Sequence, residues 1–162
     1  MSEPPVSELP DAPKPQGAYV PAVIAPYGPD LALVTSASMT PRRDGTLTVT
    51  GLVGREVDIA TARDAAGLAA RNAVAAVAGA AGGVDLIRTW LRMTVYVACA
   101  DGVTELSAVA DGASAALAAL TPDARLPARS AIGVRALPGG APVEVELTAL
   151  TALAATTQQE DR

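Results

Sequence analysis

Short apolar runs in the first part of the chain give way to a long helical period, and then to stretches in which apolar and polar positions alternate with a period of two. Residues 20–25 and 31–36 are short strand-like runs separated by Pro26, Tyr27, Gly28, Pro29 and Asp30, the composition of a tight connection, so they predict a hairpin. Residues 46–50 alternate Thr with Leu and Val after an Arg43-Asp44-Gly45 turn and predict a third short strand. From Asp58, a good N-cap, a helical stripe runs through Ile59, Ala62, Ala66, Ala69, Ala73, Val77 and Ala80, with Arg63, Asp64, Arg71 and Asn72 opposite. Gly82 and Gly83 end it. Over 86–98 the period returns to two, with Ile87, Leu91, Met93, Val95 and Val97 on one face and Arg88, Trp90, Arg92, Thr94 and Tyr96 on the other. That second, mixed face suits contact with another subunit. A second helix is predicted over 104–120, with Asp111-Gly112 as a point of bending or division, followed by strands over 128–135 and 143–153. The order ββ(β)αβαββ defines an α+β domain. Two helices cover only one face of so wide a sheet, so the other requires a partner.

Composition sharpens this picture. Half of the 162 residues are hydrophobic but only 2% are aromatic, with no Phe, so the core is built from Ala, Val and Leu, and burial between subunits is a natural source of extra stability. The net charge of −5, without a basic cluster or stacking aromatics, disfavours nucleic acid. The absence of His excludes a Ser/His/Asp triad and His-containing metal sites, and the single Cys99 excludes an intrachain disulfide. No run approaches the apolar length of a membrane span and the acidic start does not fit a secretion signal, so a cytoplasmic location is expected. Five prolines within 1–16 predict a disordered arm, 17–154 the folded domain, and 155–162 a polar tail.

Four segments carry a resemblance. PARSAIGVRALPGGAPVEVE (127–146) resembles the signature of the RidA family, the YjgF-like reactive-intermediate imine/enamine deaminases. GAYVPAV (17–23), VTSASMTP (34–41) and GLVGREVDIATARDAAGLAARNAVAAV (51–77) resemble that family's N-terminal segment, serine loop and first helix. The resemblance implies a chorismate-mutase-like fold, a homotrimer whose sheets line a central barrel, ligand clefts between subunits, and hydrolysis of 2-imino and enamine acids to 2-oxo acids and ammonia without a cofactor.

It also implies roles. Arg129 would hold the ligand carboxylate through parallel hydrogen bonds, Glu144 and Tyr19 would attend the water or the substrate nitrogen, and Ser36 with Ala37 would contact ligand. On its own, an arginine on a strand is more often an ion-pair residue. Ala131 stands where well-studied members carry a cysteine, Ala37 where they carry glycine, and Asp111 near their asparagine, where it would repel a carboxylate. The entry to the first helix and the segment VADGAS (109–114) look more like a less characterised branch, and the departures keep two alternatives open: a biosynthetic relative acting on a larger imine or carbonyl compound, and a non-catalytic trimer that binds small carboxylates. If strands 128–135 and 143–153 form a hairpin, Arg129 pairs near Ala149, roughly 16 Å along the strand from Glu144. Each site would then take the two residues from different subunits.

Overall fold

The structure, a computed structural model, describes residues 9–153. Seven strands and two helices follow one another as β1 (Ala22–Pro26), β2 (Leu31–Ser36), β3 (Arg42–Arg43), β4 (Thr46–Leu47), α1 (Ile59–Ala81), β5 (Ile87–Ala98), α2 (Leu106–Leu120), β6 (Ala128–Val134) and β7 (Val143–Ala152). The main sheet has the order β1-β2-β7-β5-β6, and β3 with β4 forms a separate two-stranded ribbon. The expected hairpin is β1 and β2, with Ala22 opposite Ser36. Residues 1–8 and the tail over 154–162 lie outside the described residues. Of the remaining arm, Leu9 packs against the core.

The last two strands are not a hairpin. β6 pairs parallel to β5, with Arg129 opposite Met93, and β7 pairs antiparallel to the other side of β5, with Glu144 opposite Tyr96. The connection through α2 returns the chain parallel to the strand it left, as a helical crossover does. β7 then takes the vacant edge of β5, so the 12-residue β5 lies between β7 and β6.

One face of the sheet is closed. Val34, Met93, Val95, Val97, Val145, Leu147 and Ala149 are buried there beneath the helices. The opposite face, with Thr35, Tyr96, Glu144, Glu146 and Thr148, carries no helix. Strict alternation fails at the start of β5, where register shifts at 87–89 and 90–92 each insert one residue. Trp90 therefore turns inward with Ile87 and Met93, against the expectation that it shares the mixed face, and Leu91 is left 42% exposed. The Trp90 indole N–H donates to the Thr121 hydroxyl (2.8 Å), which donates to the Leu117 carbonyl (2.8 Å), so the buried ring has its polar atom satisfied.

Both helix boundaries follow local chemistry. Asp58 caps α1 by accepting from the Thr61 N–H (2.7 Å), which holds its carboxyl below the usual range, and Gly82 ends the helix in the left-handed conformation (φ 96°). α2 runs undivided through Gly112. Gly112 is where the helices touch backbone to backbone: a Cβ there would lie 1.9 Å from the Arg63 carbonyl oxygen of α1, and Gly67 faces the Gly112 carbonyl. Small residues set this spacing. The Gly112→Ala variant gains about 1 kcal/mol of helix propensity, yet it is expected to lose about 1–3 kcal/mol net through overpacking. Urea denaturation measures the difference, and equal or greater stability would contradict the close crossing.

Candidate functional site

Where β2 ends, the chain makes an irregular step along β7. Thr35 lies opposite Thr148, but Met39 lies opposite Val145, so four residues on one side span three on the other. The extra residue is a bulge of the kind that opens a sheet edge beside a site. Met39 and Val145 exchange both backbone hydrogen bonds (2.8 and 2.9 Å), and the buried Ser36 hydroxyl accepts from the Leu147 N–H (3.0 Å), which fixes the step at each end. Ser36 thus secures the loop from the core, and Ala37 and Ser38 face the opening.

The opening is a cavity of about 350 Å3. It brings together Tyr19, Ala37 and Glu144, three of the residues singled out from sequence, with Ser38, Asn72 and Lys14. Asn72, expected on the polar side of α1, is instead buried, and its amide nitrogen donates to the Thr40 and Arg42 carbonyls (3.0 Å each). It holds the loop that forms the cavity floor. The Ala-rich stripe of α1 extends further round the helix than its spacing suggests, because small residues allow the loop to approach on that side as well.

Charge is concentrated beside this cavity. The Tyr96 hydroxyl donates to Glu146 (3.1 Å), and the Ser38 hydroxyl donates to the other oxygen of the same carboxylate (3.3 Å). Glu144, two residues before it on the same face, is pushed above the usual carboxylate range, first by burial and then by the charge of Glu146. Burial and Glu146 likewise raise the Tyr96 phenol. Tyr19 is half exposed, and its phenolic oxygen accepts from the Gln16 N–H (3.1 Å), leaving its own proton to donate.

Arg129 stands elsewhere. Its partner Met93 is fully buried beneath the helices, and its guanidinium reaches α2, where Nη1 donates to Asp111 (2.8 Å) and to the Ser114 hydroxyl (2.8 Å). Ala131, two residues on, packs against the core on the same side. Glu144 projects from the other face. In register the two residues differ by three positions along β5 (Met93 against Tyr96) and by two strand spacings, about 14 Å between backbones. The chain therefore groups Tyr19, Ala37 and Glu144 around one cavity and Arg129, Asp111 and Ala131 on the opposite, helix-covered side of the sheet. Neither Ser114 nor Asn72 was singled out from sequence as a candidate site residue, since neither carries a recognisable motif of its own.

The chain thus forms an α+β domain of the chorismate-mutase-like class, with Glu144 and Arg129 on opposite faces of its main sheet. The chain belongs to the RidA (YjgF) family: the family model described as endoribonuclease L-PSP matches residues 10–151. Protein TCP17 of Trypanosoma cruzi is 31% identical over 137 residues, covering 80% of this chain and 86% of that one. A crystal structure of an Agrobacterium tumefaciens protein of unknown function superposes with a TM-score of 0.77 at 34% identity, over 85% of both chains. The fold is shared with Escherichia coli TdcF solved with bound serine, at a TM-score of 0.59 and 23% identity, over 88% of this chain and 94% of that one. No described helix is long and apolar enough to cross a membrane.

A carboxyl-directed NMR titration checks the electrostatics. Glu144 is expected to stay protonated to higher pH than an ordinary glutamate, and Glu146→Gln to bring it down by removing a like charge. A Glu144 that titrates normally, or ignores that substitution, would contradict the shared burial.

Proposed function

We propose that the protein is a cytoplasmic, cofactor-independent homotrimer that hydrolyses 2-imino and enamine acids to 2-oxo acids and ammonia. Its sites would be completed across subunits by Arg129 from one chain and by Glu144 and Tyr19 from the next. The observation that carries this reading is the separation of Arg129 and Glu144 onto opposite faces of the sheet. Neither half-site serves a small ligand alone, and a helix-free face remains for a partner.

Chemically the parts are complementary. Both protein contacts of Arg129 use Nη1, so Nε and Nη2 remain on the other edge of the guanidinium for a planar carboxylate. Asp111, which by itself would repel an anion, is spent on orienting that arginine. In the proposed reaction, water attacks the carbon of the protonated imine while the Glu144 carboxylate takes one of its protons, giving a neutral carbinolamine. Glu144 returns that proton to the nitrogen, ammonia leaves as the C–N bond breaks, and the remaining hydroxyl becomes the carbonyl as its proton passes to the Glu144 carboxylate. A glutamate held above its usual range is matched to that two-way transfer. The Tyr19 hydroxyl donates to the nitrogen or the water. Serine bound to TdcF is in keeping with a small amino or imino carboxylate as ligand.

Ribonuclease activity, the description attached to the family model, has weaker support here. The net charge of −5 repels a phosphodiester backbone, and without His the usual general base is missing.

The test generates 2-aminoacrylate enzymatically and follows pyruvate formation. Wild-type protein is expected to accelerate it over buffer, and Arg129→Ala or Glu144→Ala to lower kcat/KM by about 10²–10⁴-fold. Refolded mixtures of the two inactive variants are expected to recover part of the activity, because some interfaces then contain both intact residues. Saturable binding of 2-oxo acids without acceleration would point to a non-catalytic carboxylate-binding protein. Acceleration without recovery in any mixture would overturn the shared site.

A further inference from the structure

We propose that the N-terminal arm carries a second carboxylate anchor, Lys14, to the Glu144 cavity, and that the ligand is a 2-imino or 2-oxo acid bearing another acid group on its side chain. This rests on the deaminase site described above and names its substrate class.

The arm is seated at several points. Leu9 packs against the core, and Ala12 lies over Gly79 near the end of α1, where a Cβ would approach it to 3.3 Å. Glycine is disfavoured inside a helix, so its presence beneath Ala12 is explained by that approach. Pro13 and Pro15 restrict the backbone on either side of Lys14, the Gln16 side chain donates to the Lys14 carbonyl (3.4 Å), and the Gln16 N–H donates to Tyr19 (3.1 Å). Arm and site tyrosine are thus tied together.

Lys14 borders the cavity, and its ammonium has no hydrogen-bond or ion-pair partner among the described residues. Arg42, across the cavity, spends Nε and Nη1 on Thr40 and Gly45 and retains Nη2. Two cations beside one protonatable carboxyl suit a dianion better than a monoanion. The opening of about 350 Å3 in one chain leaves room for a side-chain acid group beside the Glu144 carboxyl.

Calorimetric titration of the full-length protein with pyruvate and with 2-oxoglutarate decides this. Wild-type protein is expected to bind 2-oxoglutarate about tenfold more tightly. Lys14→Gln should bring that ratio close to one. Gly79→Leu keeps the lysine but pushes Ala12 off the helix, and is expected to lower the ratio in the same way with the circular dichroism spectrum unchanged. Equal binding of both acids by wild type, or a preference that survives Lys14→Gln, would overturn the dicarboxylate assignment while the deaminase reading stands. Binding of neither acid, without 2-aminoacrylate turnover, would remove both.

Discussion

β5 is hydrogen-bonded on both sides, to β6 running parallel and to β7 running antiparallel, and this double pairing decides which way Arg129 and Glu144 project. Side chains opposite one another in register share a face. Arg129 therefore follows the buried Met93 toward the helices, whereas Glu144 follows Tyr96 to the open face. Had the last two strands paired with each other, a shift in register could have brought both residues to one surface. With β5 between them, the register of each pairing puts Arg129 and Glu144 on opposite faces of the sheet.

The small-residue core makes the arrangement compact. Helix α1 buries Ala62, Ala66, Ala69 and Ala73, and it meets α2 where Gly112 lies against the Arg63 carbonyl. A closely approached α2 can deliver Asp111 and Ser114 to the Arg129 guanidinium, so the spacing of the helices also orients the arginine. On the far side of α1, Asn72 pins the loop over 40–42 and with it the floor of the Glu144 cavity. Packing and site geometry are set by the same few backbone approaches.

Much of the fold was legible from periodicity and caps. Asp58 and Gly82 marked the ends of α1, the β1–β2 hairpin followed from two apolar runs around a proline- and glycine-containing turn, and the long β5 from alternation. Strand order was not legible, because alternation fixes which residues share a face of one strand and says nothing about which strand lies beside it. Trp90 was misplaced for a related reason: two bulges change phase twice within β5, and no residue type announces them. Asn72 was misread because its polarity outweighed its position, although its role is to satisfy two backbone carbonyls. For the site, the motif around Arg129 identified the residue but not the side on which it projects. Tyr19, Ala37 and Glu144, far apart in sequence, came together in one cavity because the bulge after β2 sets the serine loop against β7.

A crystal structure with a bound 2-oxo acid tests the central claim most directly, since it shows which chains surround the ligand. The account predicts the carboxylate on the Nε and Nη2 edge of Arg129 from one subunit, with Asp111 still on Nη1, and Glu144 and Tyr19 of a neighbouring subunit beside the oxo carbon. A ligand enclosed by Arg129 and Glu144 of a single chain, or seated with Arg129 uninvolved, would contradict it.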